Sequence, residues 1–192
     1  MISGSVGSVR DMELAKSSPI ERVESAPAIV PAPDPLFRKP EVADGASLWR
    51  VARDSGELDL NSSYAYLLWC RDFAESSIVA VSGGRICGFV TGYLRPDAPE
   101  TFFLWQVAVD ADHRGRAIAM RMLTNLIDRL IPRGVRWLET TVTPSNTASN
   151  RLFASFAERR GATQTFSPLF TAADYPDAHE EEVLHRIGPL TP

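Results

Sequence analysis

The order of this chain is first visible in where its apolar residues fall. "LFRKP" reads as a short first strand. "EVADGASLWRVARDS" then sets Ala46, Leu48, Trp49, Val51 and Ala52 at helical spacing. "LNSSYAYLLWCRDFAESS" repeats that spacing with Tyr66, Leu67, Cys70 and Phe73, and Ser62 or Ser63 can cap its start. "SIVAVSGGRICGFVTGYL" changes to extended runs. Ile78 to Val81 and Ile86 to Leu94 flank a Ser82-Gly83-Gly84 turn, which predicts a hairpin. "RPDAPE" reads as a loop whose prolines end strand pairing.

"TFFLWQVAV" is rich in aromatic and branched residues and predicts a third strand of the meander. In "AIAMRMLTNLIDRLI", Ala119, Met122, Leu123, Leu126, Ile127 and Leu130 share a helical face, and Pro132 ends the element. "VRWLETTVT" is the next strand, and the strand–helix–strand link favours parallel pairing with "TFFLWQVAV". "SNTASNRLFASFAERRGA" predicts a second amphipathic helix, with Asn146 at its start and Gly161 at its stop. "TQTFSPLF" and "EEEVLHRI" close the chain as two strands. The order β-α-α-β-β-β-α-β-α-β-β is a mixed α/β (α+β) sheet flanked by helices.

Composition adds limits. A chain of 192 residues, 44% hydrophobic, suits one compact domain with an appendage. The domain is expected over residues 36–192. Residues 1–35, with "SAPAIVPAPDP", read as a Pro/Ala-rich disordered tail. A formal net charge of -4 argues against a nucleic-acid partner. No apolar run is long enough for a membrane span, and the N-terminus lacks the apolar core of a secretory signal. Cys70 and Cys87 form no metal or redox spacing, so a reducing cytoplasm is the default. His113, His179 and His185 show no metal spacing, and no metal is expected.

The segment with the clearest chemistry is "DHRGRAIA", Asp112 to Ala119. It joins the end of a strand to the start of a helix, where the first amides lack internal partners and the dipole is positive. Gly115 permits close backbone approach, and Arg114 and Arg116 add charge. The site suits a pyrophosphate on backbone N–H groups; an ordinary turn with solvated arginines is the alternative. The glycine spacing matches neither a Walker A loop nor a dinucleotide fingerprint.

These residues resemble motif A of the GNAT acetyltransferases, Gln/Arg-x-x-Gly-x-Gly/Ala, and the element order resembles the GNAT fold. Asp112 departs from the first position of that pattern. "LDLNSSYAYLL", "FLWQVAVD" and "SNTASNRLFASFA", with "GFVTGYLRPDAPET", are similar to the diaminobutyrate acetyltransferases of ectoine biosynthesis. The resemblance covers about Phe37 to Ile187. It implies a sheet splayed between the fourth and fifth strands and acetyl-CoA as co-substrate. Arg114, Gly115, Arg116, Ala117, Ile118 and Ala119 would hold the pyrophosphate. Val107 and Val109 would meet the pantetheine arm, flanked by Asn146 and Ser149. The acceptor would be the γ-amino group of L-2,4-diaminobutyrate, in a cytoplasmic homodimer.

On the acceptor side, residue types leave two readings open. In "LDLNSSYAY", Asp59 can accept from an ammonium group, Asn61 and Ser62 can donate to a carboxylate, and Tyr64 and Tyr66 offer hydroxyls. Helix capping, a solvated Asp59 and a core Tyr66 are the alternatives; the resemblance favours substrate contact for Asp59 and Tyr64. Alternation places Trp105 on one face with Phe103 and Val107, either in the core or as a pocket wall beside a cationic amine. The consecutive glutamates read as a solvated strand edge, with alternation separating Glu181 from Glu180 and Glu182; the resemblance implies that an acidic residue here reaches the substrate, and Glu181 is taken as that one.

The expected chemistry is direct attack in a ternary complex. Asp59 and Glu181 are the candidate bases and the Val107 amide stabilises the oxyanion. Phe153 stands where many GNAT enzymes place a tyrosine for the departing thiolate. Acetylation of another small amine or a protein amine, or a non-catalytic acetyl-CoA sensor, are the alternatives.

Overall fold

The computed structural model describes residues 33–177 and 179–191. The expected tail lies outside these residues except for Pro33 to Pro35. Those three are tied to the domain: the Pro33 carbonyl accepts from Ser82, and Asp34 pairs with Arg121 at 2.7 Å.

The elements are β1 (Leu36–Arg38), α1 (Gly45–Ser55), α2 (Ser63–Asp72), β2 (Ile78–Ser82), β3 (Arg85–Arg95) and β4 (Ala98–Val109). They are followed by α3 (Ile118–Leu130), β5 (Trp137–Val142), α4 (Thr147–Arg160), β6 (Thr163–Phe170) and β7 (Glu182–Gly188). One sheet runs in the order β1-β2-β3-β4-β5-β7-β6. Among the described residues, only β4 and β5 pair in parallel, as the intervening helix predicts. Leu48, Val51, Tyr66 and Phe89 form a core on the α1–α2 face. A larger core on the α3–α4 face contains Phe102, Leu104, Leu123, Leu126, Phe153 and Phe156.

The expected "RPDAPE" loop is shorter than its prolines suggest. β3 runs to Arg95 and β4 starts at Ala98, leaving Pro96 and Asp97 as the turn. Pro99 sits inside β4 because the register skips there: Arg95 pairs with Ala98 and Leu94 with Phe102. A proline in such a bulge withholds no ladder hydrogen bond.

A second bulge shapes the site. Thr91 pairs with Gln106 and Gly92 with Leu104, so Trp105 is the extra residue on β4. Two consecutive side chains then point the same way. Trp105 stacks on Trp69 of α2, and Gln106 meets Tyr66 of α2. Alternation resumes with the opposite phase, so Val107 packs against the α3–α4 core. The expected common face of Phe103, Trp105 and Val107 therefore breaks between Trp105 and Val107. The parallel pairing of β4 with β5 also ends just before the bulge, at Leu104 and Thr140. Bulges add local twist, and here the strands separate.

Gly92 makes the bulge possible. A Cβ on it would fall 2.5 Å from the Phe102 ring and closer still to the Phe103 carbonyl oxygen. Gly92→Ala is expected to destabilise the fold by about 1–3 kcal/mol, the usual cost of overpacking a core. Urea denaturation monitored by tryptophan fluorescence checks this, since Trp69 and Trp105 report on the same region.

Candidate active site

The site begins where β4 leaves the sheet. The Asp110 amide donates to the Cys87 carbonyl at 2.8 Å, on the β3 side. Arg50 of α1 holds the Asp110 carboxylate with bonds of 2.9 and 3.0 Å and reaches the Ile86 carbonyl at 2.7 Å. Such a bidentate pair fixes orientation as well as position. Since the Asp110 amide faces β3, strand alternation turns the amides of Val109 and Val107 to the other edge. β5 has already diverged there. These amides are thus presented to a gap in the sheet.

Next comes the loop into α3. Gly115 (φ 76°) and Ala117 (φ 54°) both adopt the left-handed region. For an alanine this costs roughly 1–3 kcal/mol, so the loop shape is imposed by its surroundings. Ser62 caps α2 and Asn146 caps α4 with a side chain, but no side chain caps α3. Its first turn-closing bond runs from the Arg121 amide to the Ala117 carbonyl at 3.0 Å. The amides of Ile118, Ala119 and Met120 precede that bond, at the positive end of the helix. This is an anion site by backbone geometry.

A cavity of about 250 Å³ lies between this loop and α4. Val107, Val109, Ala119, Ala148 and Leu152 make it largely apolar, with Arg114, Asn146 and Ser149 at its wall. Six expected donor residues, Val107, Val109, Arg114, Ala119, Asn146 and Ser149, therefore come together. The others are placed differently. The Arg116 Nη2 donates to the Pro33 carbonyl at 3.1 Å, tying that side chain to the start of the domain. The Ile118 side chain is buried in the core, while Gly115 and Ala117 contribute backbone.

A cleft of about 400 Å³ occupies the gap between β4 and β5. It shares Val107, Asn146 and Ser149 with the first cavity. Asp59, Asn61, Trp105, Thr141, Phe153, His179 and Glu182 also line it. Asp59, Trp105, Thr141, His179 and Glu182 continue into an outer cavity of about 490 Å³. A connected series of openings thus passes through the sheet.

The Asp59 loop is held from beneath. The Tyr66 hydroxyl, fully buried, donates to Gln106 Oε1 at 3.2 Å. Gln106 Nε2 and Asn61 Nδ2 then donate to the Asp59 carbonyl at 3.1 and 3.2 Å. The Asp59 side chain is left exposed, 3.2 Å from His179 Nε2. Tyr66 is a core residue, and Ser62 caps α2 by accepting from the Ala65 amide. Tyr64, expected at the substrate, is 65% exposed and lines none of these cavities. Two residues along a helix is more than half a turn, so the phase that buries Tyr66 turns Tyr64 outward.

The acidic residue of the cleft is Glu182, not Glu181. β7 starts at Glu182, and Glu181 precedes it, exposed and away from the cavities. Alternation had separated these two correctly, but the strand presents the other face to the gap. Burial pushes the Glu182 carboxyl above its ordinary range; the Thr141 hydrogen bond opposes this, and the nearby Asp59 charge adds to it. Its Oε2 is buried and has no hydrogen-bond partner. His179 is shifted upward by its 2.6 Å bond to the Glu180 carbonyl and by Asp59, and it stacks on Tyr175. Sequence reasoning missed His179 because it sought only metal spacing. Burial raises both thiols, Cys70 to about 11, and neither lines the cleft.

The chain as a whole is similar to known proteins. A profile of the Acetyltransferase (GNAT) family covers residues 45–157, and the chain belongs to that family. Within it, the chain is 60% identical over 156 residues to the L-2,4-diaminobutyric acid acetyltransferase of Streptomyces coelicolor, covering 80% of this chain and 92% of the relative. The Nocardia farcinica protein of the same name is 53% identical, covering 81% and 80%. Among solved structures, the diaminobutyrate acetyltransferase EctA from Paenibacillus lautus, in complex with its substrate L-2,4-diaminobutyric acid and coenzyme A, is similar. It superposes with a TM-score of 0.79 at 43% identity over 83% of this chain and 97% of that one.

Glu182→Gln is expected to lower kcat/KM at neutral pH and to remove the acidic limb of its pH profile. In the parent protein that limb lies above the ordinary glutamate value of 4.5, because burial disfavours the ionised form until the pH rises further. Glu181→Gln is expected to leave the profile unchanged. Initial rates across pH with both variants check the assignment.

Proposed function

We propose that this chain transfers the acetyl group of acetyl-CoA to the γ-amino group of L-2,4-diaminobutyrate, giving N-γ-acetyl-diaminobutyrate for ectoine biosynthesis. The observation that carries this is the gap beside Val107. It joins an apolar cavity next to uncapped helix amides with a cleft bearing the carboxylates of Asp59 and Glu182. The residues present suit coenzyme A: amides at the start of α3 for the pyrophosphate, Arg114 beside them, and an apolar groove for the pantetheine arm. Acetyl-CoA supplies an activated thioester.

The chain's own groups do the rest. The Val107 amide donates to the thioester carbonyl oxygen and stabilises negative charge as it develops. Asp59 and Glu182 receive the acceptor amine, and Trp105 walls the position on one side. An ammonium group between carboxylates is stabilised in its charged form, so a base must remove a proton before attack. Glu182 suits this role, because its raised pKa brings it nearer to neutrality than an ordinary carboxylate. Phe153 has no proton to offer the departing thiolate, which leaves as the anion or is protonated by solvent. Attack is direct, since both cysteines are buried thiols held in their neutral form.

The protein acts as a homodimer in the cytoplasm. The dimer is supported by β6, an edge strand that exposes Phe166, Leu169 and Phe170. The compartment is supported by the two unpaired cysteines.

Thiol release from acetyl-CoA, followed with diaminobutyrate, ornithine, lysine and spermidine, tests the assignment. Diaminobutyrate is expected to give the highest kcat/KM. Coenzyme A binding without turnover of any of them would point instead to a sensor. Asp59→Asn is expected to raise the diaminobutyrate KM by about tenfold or more, the loss of one charged hydrogen bond, while acetyl-CoA binding stays as before.

A further inference from the structure

Charge is unevenly spread along the acceptor side. Asp59, His179 and Glu182 cluster where the cleft and the outer cavity meet. The far wall of the outer cavity carries Arg95 and Glu139. The whole sequence has only two lysines, Lys16 and Lys39. Among the described residues, Arg95 is the one arginine or lysine lining either opening.

Arg95 is held in a fixed pose at the end of β3. Asp97, across the Pro96 turn, accepts from Nε and Nη2 at 3.2 and 2.8 Å. Glu139 of β5 accepts from Nη1 at 2.9 Å. Glu139 is 2% exposed and also lies 3.4 Å from Arg186, so its charge is shared between two guanidiniums. These bonds use some of the guanidinium's N–H donors and leave others directed elsewhere. Arg95 remains about one-third exposed, on a wall shared with Tyr93, Phe103 and Trp105. A fixed, partly exposed guanidinium is pre-organised for a carboxylate.

Spacing supports the match. Glu139 pairs with Phe103, and Thr141, which bonds Glu182, lies two residues further along β5. Two strand residues span about 6.6 Å. A three-carbon chain separates the carboxylate and γ-amine of a diamino acid, a reach of the same order. We propose that Arg95 is the specificity-determining residue that reads the α-carboxylate of the acceptor, while Asp59 and Glu182 take the amine. This rests on the acceptor assignment above and adds to it. The site then selects an α-amino acid over a plain diamine of the same amine spacing, because a diamine brings no carboxylate for the N–H donors that Asp97 and Glu139 leave open.

The test compares diaminobutyrate with 1,3-diaminopropane, which has the same amine spacing and no carboxylate. Arg95→Ala alone strips a partner from buried Glu139, so it is paired with Glu139→Gln; Glu139→Gln alone and Arg95→Lys are made alongside. The wild-type protein is expected to prefer diaminobutyrate. The double variant is expected to lose about 10–100-fold in kcat/KM for diaminobutyrate, mostly through KM, with little change for diaminopropane or in coenzyme A affinity. Arg95→Lys should restore part of the preference. A folded double variant that keeps the preference, or loses both amines equally, overturns the role of Arg95. A wild-type protein that acetylates neither amine overturns the acceptor assignment and this role together.

Discussion

The contact on which the site depends is the close approach of β3 and β4 at Gly92. No side chain fits there, since the Phe102 ring and the Phe103 carbonyl occupy the space a Cβ would need. That approach accommodates the extra residue Trp105, and the bulge changes the twist and the facing of everything after it. Upstream, β4 is an ordinary member of the sheet, paired on both sides. Downstream it keeps β3 and loses β5, so its outer amides find no strand partner. Buried backbone donors seldom stay unpaired, and a ligand that supplies a carbonyl there gains a hydrogen bond the fold has left open. The Arg50–Asp110 pair then stops the loosened strand from drifting and delivers the chain into the cradle loop.

The same gap explains the electrostatics. It passes through the sheet, with the α3–α4 side open to the proposed donor and the Asp59 side open to the proposed acceptor. Glu182 is partly buried at the crossing, which disfavours its charge until an amine arrives. His179 and Asp59 form the outer lip, where water still screens them. The acidic lip and the Arg95 wall suit a small zwitterion with excess positive charge better than an uncharged amine.

Most of the fold was legible in the sequence, because apolar spacing reports burial directly. The helices, the hairpin and the parallel crossover follow from period and connectivity. Of the candidate site, the cavity beside the α3 loop was legible for the same kind of reason: a strand, a left-handed turn and a helix start are local features. The acceptor half was not, because it depends on phase between distant strands. Nothing near Glu181 or Glu182 reveals which of them faces a gap created by a bulge at Trp105. Tyr64 was drawn to the site by residue type and resemblance, whereas the helix that buries Tyr66 turns it away. His179 lies far from Asp59 in sequence, and only the fold brings them to 3.2 Å.

The proposed site depends on the Val107 and Val109 amides facing a gap where β5 no longer pairs with β4. Amide hydrogen exchange measured by NMR, residue by residue, with and without coenzyme A, tests it most directly. Fast exchange is expected at Val107 and Val109 in the free protein, next to a slowly exchanging Ala108, with protection at both when coenzyme A is bound. Val107 and Val109 amides as protected as Ala108 in the free protein, or unaffected by coenzyme A, would contradict it.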